Sequence, residues 1–243
     1  MDKLLDLFFP KFCLGCQAEG YYLCQDCRAL LDIVEHQYCL CETKPLRLSS
    51  DSKTGKCQRC QDKKLSGLYF ALSYKEKSLT KKLIHQFKYK PYIKRLAKPL
   101  ASILIEHFIK TGKNTDKIWE NGVLIPVPLN QKKLRERGYN QSEELAKELS
   151  KIIKIPVFTD VLIKTKSTPS QMELKKEKRQ KNLLGAFSIN SPDTGSQENL
   201  FGDKKVFLVD DVYTTGSTMQ ECANVLRTSG AKSVWGICIA REG

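Results

Sequence analysis

Hydrophobic residues along the chain follow two patterns, short apolar runs and longer stripes with helical spacing. Short runs bounded by polar residues predict buried strands. Such runs occur at 68–74, 123–128, 158–163, 183–189, 206–209 and 233–239. Apolar positions three and four residues apart predict helices, and these stripes occur at 79–87, 93–108, 140–153 and 218–229. Because strands alternate with helices, we expect an α/β fold with a mostly parallel sheet flanked by helices.

The most informative stretch is residues 206–218, which read Val-Phe-Leu-Val-Asp-Asp-Val-Tyr-Thr-Thr-Gly-Ser-Thr. Its first four residues predict a buried strand, and Asp210 and Asp211 stand where that strand is expected to end. Thr218 and Glu221 have the spacing of a capping box, so we expect a helix to begin there. In α/β proteins, the carboxyl end of a strand that leads into a helix is where ligands bind.

The side chains of this stretch suit a phosphorylated sugar. Helix N-terminal amides favour a phosphate, and Gly216 allows close approach of the backbone. Further donors are the hydroxyls of Thr214, Thr215, Ser217 and Thr218. The carboxylates of Asp210 and Asp211 can hold vicinal hydroxyls, directly or through a divalent cation such as Mg²⁺. An acid pair can also be a solvated turn, but the complete stretch in register favours a phosphosugar site.

Eight of the ten cysteines fall before residue 61 and form four close pairs. Paired thiolates can face one tetrahedral Zn²⁺, and disulfides are the weaker explanation in a reducing compartment. Sequential pairing would place Cys13, Cys16, Cys24 and Cys27 on one ion and Cys39, Cys41, Cys57 and Cys60 on a second, while crossed pairing stays open. The Cys39-x-Cys41 spacing is short, so the second site could use one of these two residues. Four thiolates leave no open position, which indicates one or two structural zinc ions in a docking module.

The charge balance favours a polyanionic partner. The net charge is +14, with 41 Lys and Arg against 27 Asp and Glu, and this favours nucleic acid, although lysine-rich surfaces also serve solubility. The segment 164–182 is strongly basic and is either a mobile loop or a surface excursion. Its candidate nucleic-acid contacts are Lys164, Lys166, Lys175, Lys176, Lys178, Arg179 and Lys181.

Two further features concern contacts to a pyrophosphate group and the cellular compartment. Arg135 and Arg137, beside Gly138, suit a pyrophosphate, with a solvated loop as the alternative. No apolar run is long enough for a membrane span, and the N-terminus lacks the features of a signal peptide. We therefore expect the protein in the cytoplasm.

Several motifs occur here in one order: the paired cysteines, Pro-Val-Pro then Arg-x-Arg-Gly-Tyr-Asn-Gln, and the stretch 206–218. Between them lie Thr168-x-x-Gln171-x-x-Leu174 and Arg179-x-x-Asn182-x-x-Gly-Ala-Phe. The stretch 206–218 resembles the phosphoribosyl-pyrophosphate signature of type I phosphoribosyltransferases. The whole set resembles the ComF family, the amidophosphoribosyltransferase-like, ComFC-like competence proteins, although relatives more often have two residues between the cysteines of the third pair.

The resemblance implies a zinc-binding module at 1–65 and a type I phosphoribosyltransferase-like domain at 66–243. It also implies a role in natural transformation, in which the protein handles incoming single-stranded DNA beside a helicase-like ComFA partner. By position, Asp210 and Asp211 would contact ribose hydroxyls or Mg²⁺, and residues 214–218 would hold the 5-phosphate of phosphoribosyl pyrophosphate. Residues 126–130 would form the pyrophosphate loop, and 164–182 the loop that closes over the site.

The sequence leaves open whether the chain is an enzyme. The first hypothesis is a DNA-handling competence protein with a phosphoribosyl-pyrophosphate site, used for sensing or for a transferase activity in which Asp210 and Asp211 are catalytic. In that reaction Mg²⁺ and Arg135 or Arg137 would neutralise the departing pyrophosphate. The alternatives are a salvage or biosynthetic phosphoribosyltransferase acting on a small acceptor, and a zinc scaffold whose sugar site is vestigial.

Overall fold

A computed structural model describes residues 10–49, 52–112, 115–165, 183–190 and 200–242. The strands in these ranges are β1 (Gly67–Ser73), β2 (Gly122–Pro126), β3 (Leu162–Lys164), β4 (Phe187–Ile189), β5 (Lys205–Tyr213) and β6 (Ser233–Arg241). The α-helices are α1 (Gln25–Ala29), α2 (Leu79–Lys88), α3 (Ala97–Lys110), α4 (Thr115–Trp119), α5 (Gln131–Arg137), α6 (Gln141–Ile153) and α7 (Ser217–Thr228). Short 3₁₀ turns span Gln58–Cys60 and Lys94–Leu96.

Four strands form a parallel sheet in the order β1-β6-β5-β2. One row of residues crosses it, with Leu68 beside Gly236, Gly236 beside Leu208, and Leu208 beside Ile125. These strands are buried almost throughout, as expected where helices cover both faces of a parallel sheet. The predicted α/β architecture is confirmed.

The predicted strands at 158–163 and 183–189 take a different form. Strands β3 and β4 pair antiparallel with each other in a separate two-stranded sheet, with Leu162 opposite Ile189. The chain at 157 makes only a single parallel bridge, from Val157 to Leu124 of β2. These two three-residue strands thus form a small sheet of their own, separate from the main sheet.

Strand β5 is longer than the sequence pattern predicted. It does not end before the acid pair, because its pairing with β6 continues through Asp210 beside Cys238 to Tyr213 beside Arg241. On its other side, β2 pairs only as far as Pro126, which lies opposite Val209. The acid pair therefore extends past the end of β2 while β6 still holds its backbone.

The start of helix α7 also differs from the prediction. The N-cap is Gly216 in the left-handed conformation (φ 75°), and no side chain caps the helix there, so the predicted capping box from Thr218 to Glu221 is wrong. The carboxylate of Glu221 instead accepts a hydrogen bond from the Gly185 backbone amide (2.8 Å). The helix ends at Thr228, close to the end of the predicted stripe at 218–229, and Gly230 follows with φ 92°.

Helices α2, α3 and α6 cover one face of the sheet. Their buried residues include Leu83, Phe87, Leu104 and Leu149, which pack in one core with the strands. Pro99 lies in the first turn of α3, where a proline costs no intrahelical hydrogen bond, so it marks the start of that helix and not a kink. Within the described ranges, no helix has the length and apolar composition that crossing a bilayer requires.

Candidate phosphate-binding site and metal centres

The acid pair at the end of β5 is held by two side chains from other elements. Lys88, the last residue of α2, donates to Asp211 Oδ1 over 3.1 Å. Ser142, in the first turn of α6, donates its hydroxyl to Asp210 Oδ1 over 3.0 Å. The two carboxylates also cap the local backbone, because Asp210 Oδ1 accepts from the Asp211 amide and Asp211 Oδ1 accepts from the Val212 amide.

The two acids differ in exposure and charge. Asp211 is 2% exposed, and its Oδ2 is buried without a hydrogen-bond partner among the described residues. Burial, and then the negative charge of Asp211, raise the pKa of Asp210 to about 7. Burial opposes the charged form of Lys88, but the charges of Asp211 and Asp210 outweigh it, and the pKa of Lys88 is raised. Asp211 is thus an internal partner of Lys88, while Asp210 is the more exposed of the two acids.

The loop after β5 presents hydroxyls and a helix N-terminus. Thr215 Oγ1 lies 2.9 Å from Ser217 Oγ, so the two hydroxyls share one hydrogen bond. Gly216 is packed tightly, since a Cβ atom there would lie 2.2 Å from the Tyr213 hydroxyl oxygen. A twelve-residue helix begins immediately after it without a side-chain cap. Such a turn, with amide groups and a favourable dipole, suits a phosphate group.

Arg135 and Arg137 lie in the last turn of α5, which Gly138 ends in the left-handed conformation (φ 79°). Residues two apart do not share a helix face. Accordingly Arg137 is half-buried and bonds the side-chain oxygen of Gln141, whereas Arg135 is exposed. Their joint role at a pyrophosphate stays a prediction. The preceding residues, 127–130, form the loop from β2 to α5, and Val127 donates to the Val209 carbonyl beside the acid pair (2.9 Å).

Lys164 is the one predicted nucleic-acid candidate that lies within the described residues. It stands on β3 over the ring of Phe187, 5.4 Å from its centroid. Burial and then the charge of Lys133 lower the pKa of Lys164, while the charge of Asp210 opposes them. Lys164 therefore lies close enough to Asp210 for their charges to interact. The other candidates, Lys166, Lys175, Lys176, Lys178, Arg179 and Lys181, lie outside the described residues.

Two residues of this site escaped the sequence analysis. They are Lys88 and Ser142, which come from the end of α2 and the start of α6. Ser142 follows the N-cap Asn140 by two residues, whereas Lys88 stands at the end of its helix, before the turn. What the sequence could not give is the pairing of residues more than sixty positions apart with the acids, which only the sheet order brings about.

The eight N-terminal cysteines form two groups in the predicted sequential pairing. Within each group, Cys13, Cys16, Cys24 and Cys27, or Cys39, Cys41, Cys57 and Cys60, the sulfur atoms all lie within 4.8 Å of one another. Sulfur pairs lie 3.6 Å apart at Cys13–Cys24 and 3.5 Å apart at Cys41–Cys57. Four thiolates about 2.3 Å from a tetrahedral zinc lie about 3.8 Å apart. The donor set and its spacing therefore fit zinc.

The short Cys39-x-Cys41 spacing does not exclude either residue, since both sulfurs belong to the second group. Backbone amides donate to sulfur in both groups, as from Leu46 to Cys39 (3.1 Å) and from Cys24 to Cys13 (3.4 Å). Such bonds favour the thiolate form that a metal requires. Zinc would hold the polypeptide turns together, and four sulfur ligands leave it no position for a reactant.

Comparison with known protein families agrees with this architecture. A family model described as "Phosphoribosyl transferase domain" matches residues 139–243. A second, described as "Double zinc ribbon domain", matches residues 4–61. The chain is thus a double zinc ribbon followed by a phosphoribosyltransferase domain. The predicted boundary between 65 and 66 stays a prediction, because the two matches leave residues 62–138 between them.

Several curated proteins are similar to the chain. Competence protein F of Haemophilus influenzae is 36% identical over 134 residues, which are 54% of this chain and 56% of that protein. DNA utilization protein YhgH of Escherichia coli is 31% identical over 159 residues, 65% of this chain and 66% of that protein. The chain therefore spans less than two thirds of either relative. Competence protein ComFC of Streptococcus pneumoniae is 26% identical over 214 residues, 87% of this chain and 84% of that protein. The chain belongs to the ComF family of phosphoribosyltransferase-like proteins.

Proposed function

We propose that this chain is a cytoplasmic competence protein that handles single-stranded DNA and binds phosphoribosyl pyrophosphate with Mg²⁺. The names of its relatives, which refer to competence and DNA utilization, support the cellular role. The observation that carries the ligand is the acid pair beside an uncapped helix N-terminus. The helicase-like ComFA partner expected from the resemblance belongs to the same proposal.

In the proposed binding mode, the turn at residues 214–218 holds the 5-phosphate and Asp210 accepts from the ribose hydroxyls. Mg²⁺ would neutralise the charge on the pyrophosphate oxygens. Asp210 is the acid that would interact with Mg²⁺, because Asp211 is already paired with Lys88. Lys88 and Lys164 add positive charge near Asp210, with Arg135 and Arg137 as further candidates. The proposal covers binding, and a transferase reaction is left to the turnover assay below.

A ligand that binds only the folded state raises the melting temperature. Phosphoribosyl pyrophosphate with Mg²⁺ should raise it by several degrees, and ribose 5-phosphate or pyrophosphate alone by less. No shift with any of the three would count against the site. Pyrophosphate release on a panel of bases then tests catalysis, and rapid turnover on one base would favour a salvage phosphoribosyltransferase.

A basic groove supports the DNA part of the proposal. It has a volume of about 410 Å³ and lies between the first cysteine group and α2. Its lining includes Lys77, Lys81, Lys82 and His85. The ring of His85 lies 4.8 Å from that of Tyr89 at the end of the same helix. Positive charges beside aromatic rings suit the backbone and bases of a single strand.

Two charge reversals of equal size test the groove. Lys77→Glu/Lys82→Glu changes it, whereas Lys204→Glu/Lys232→Glu places the same charge at the amino end of β5 and β6, where both lysines are exposed. In gel shifts with single-stranded DNA over a salt series, the groove variant should lose affinity and its salt slope should fall by about 0.7 per lost phosphate contact. Equal losses in the two variants would argue against the groove.

A further inference from the structure

Arg241, the last residue of β6, is buried deep under the second cysteine group. Its side chain is 2% exposed. One terminal nitrogen donates to the Cys39 carbonyl over 2.8 Å, and the other donates to the Cys41 carbonyl. The guanidinium thus bridges the backbone of two residues whose sulfurs belong to the candidate zinc site.

Among the described residues, the charge of Arg241 has no carboxylate within salt-bridge distance. Its Nε makes no hydrogen bond with any of these residues. Burying an unpaired charge is costly. Zinc with four thiolates carries a net negative charge, and the two carbonyls that Arg241 binds belong to Cys39 and Cys41, whose sulfurs are part of this group. The metal cluster therefore fits the place of the missing counterion.

On its other side, Arg241 faces the phosphate-binding turn. Its guanidinium carbon lies 5.6 Å from the ring centroid of Tyr213 and 5.6 Å from that of Phe70, in the range of cation–π contacts. The hydroxyl end of Tyr213 packs against Gly216, the N-cap of α7. A continuous set of buried contacts thus runs from Cys39 and Cys41 to the turn.

A second contact joins the same two regions independently. Gln220, in the first turn of α7, accepts hydrogen bonds from the backbone amides of Lys64 (2.7 Å) and Leu65 (3.1 Å). These residues follow Cys60, the last cysteine of the second group. In addition, Cys39 and Cys60 share a hydrophobic core with Tyr213 and with Met219 of α7.

The first cysteine group is placed differently. Cys13, Cys24 and Cys27 form a small core of their own, with Leu23 and Leu79 against it. Arg28 attaches this group to the outer helix α3 through Glu106 (3.1 Å). This attachment does not involve the phosphate-binding turn.

We propose that Arg241 is a positioning residue that holds the phosphate-binding turn through Tyr213, with the second zinc cluster as its anchor. Zinc in that cluster and a phosphosugar in the turn then stabilise each other. The inference rests on the proposed ligand, and it assigns the two ribbons different tasks. The first zinc ribbon borders the basic groove, and the second supports the sugar site. By linkage, each ligand increases the affinity for the other by the same factor.

The wild-type protein tests the coupling directly. Full-length, zinc-loaded protein is mixed with excess chromogenic chelator, with and without phosphoribosyl pyrophosphate and Mg²⁺, and the release of each zinc ion is followed over time. We expect the ligand to slow one release phase by about tenfold and leave the other unchanged. Binding by calorimetry with no change in either phase overturns the proposal.

Variants identify the phases. Arg241→Gln should accelerate zinc release from the second cluster about tenfold and abolish the protection by ligand. Arg241→Lys keeps the positive charge but loses the planar guanidinium that binds two carbonyls at once. It should release zinc more slowly than Arg241→Gln and regain part of the protection by ligand. The matched control Arg28→Gln should change only the release of zinc from the first cluster. An Arg241→Gln protein that releases zinc like the wild type contradicts the proposal.

A further variant separates this inference from the proposed function. Tyr213→Leu removes the ring on which Arg241 packs and leaves all eight cysteines in place. Measured without any ligand, this variant should therefore release zinc faster from the second cluster and not from the first. If the wild type binds no phosphoribosyl pyrophosphate, the proposed ligand fails. The Tyr213→Leu result then decides whether the contacts couple the turn to the metal, and unchanged release overturns the coupling.

Discussion

Lys88 Nζ donates to Asp211 Oδ1 over 3.1 Å, across 123 positions of sequence. The lysine side chain is 31% exposed and the carboxylate is 2% exposed, so the pair lies at the edge of the core and not on the surface. This contact fixes the end of α2 to the end of β5. It also leaves Asp210, the more exposed of the two acids, as the one that the proposed ligand would contact.

Replacing Lys88 should therefore be costly. Lys88→Met leaves a buried carboxylate without its partner, and we expect the free energy of unfolding to fall by about 2–3 kcal/mol, less than a fully buried pair would lose because Lys88 is partly exposed. Urea unfolding measures the change. The control is Lys81→Met on the same helix, whose partner Glu76 is exposed, and it should cost less than about 1 kcal/mol. Equal costs would show that the Lys88 pair is an ordinary surface contact.

The pKa of Asp210 gives the stability a defined pH dependence. It rises from 3.8 to about 7 on folding, so between these values the folded chain binds more protons than the unfolded chain. This stabilisation is complete below about pH 4 and is lost as the pH rises through about 7. The charges that face Asp210 are those of Asp211, Lys88 and Lys164.

Asp210→Asn removes this contribution. The stability of the variant relative to the wild type should therefore increase from pH 5 to pH 7, by up to about 1.4 kcal/mol per pH unit, and level off above pH 8. Urea titrations at four or five pH values measure the difference. A difference that stays constant with pH would mean that Asp210 is ionised throughout.

Two glycines in the same backbone conformation separate strain from packing. Gly216 (φ 75°) precedes the first residue of α7, and Gly138 (φ 79°) follows the last residue of α5. A Cβ atom added at Gly138 would have no atom within 4 Å, whereas one added at Gly216 would collide with Tyr213. Gly138→Ala should cost about 1 kcal/mol for the left-handed backbone. Gly216→Ala should cost at least about 2 kcal/mol more, and should abolish the thermal shift caused by phosphoribosyl pyrophosphate. Similar losses in both variants would indicate that Tyr213 can move aside.

The two cysteine groups should differ in what they stabilise. Cys13 and Cys39 are both fully buried, so Cys13→Ser and Cys39→Ser are matched changes. Mass spectrometry under native conditions should show two zinc ions in the wild type and one in each variant. Because Cys39 shares the core of β5 and α7, its loss should lower the main unfolding transition, while the loss of Cys13 should leave that transition close to the wild type.

The sequence predicted most of the fold. The apolar run at 206–209 placed β5 correctly, because local patterns determine strands and turns. The ligand expected at the acids after it stays a prediction. The exact end of β5 was wrong, since β6 continues to pair with it as far as Tyr213 and Arg241. The helix cap was wrong because Gly216 in the left-handed conformation replaces a side-chain cap.

What the sequence could not provide is the set of long-range partners. Lys88 is one of several lysines between residues 81 and 90, and no local pattern indicated that it would pair with Asp211. Likewise, Arg241 followed a predicted strand without any signal that it would bind the carbonyls of Cys39 and Cys41, 200 and more positions away. The order β1-β6-β5-β2 produces both contacts, and that order is a property of the whole fold.

Calorimetric titration of phosphoribosyl pyrophosphate with Mg²⁺ tests the central claim most directly. The wild type should bind one equivalent, Asp210→Asn should bind at least about tenfold more weakly because it loses a charge-assisted hydrogen bond to the ribose, and Gly138→Ala should bind like the wild type. Asp210→Asn is the sharper variant than one at Asp211, whose loss would leave Lys88 unpaired. Wild-type protein that binds no phosphoribosyl pyrophosphate, or an Asp210→Asn protein that binds it equally well, would contradict the account.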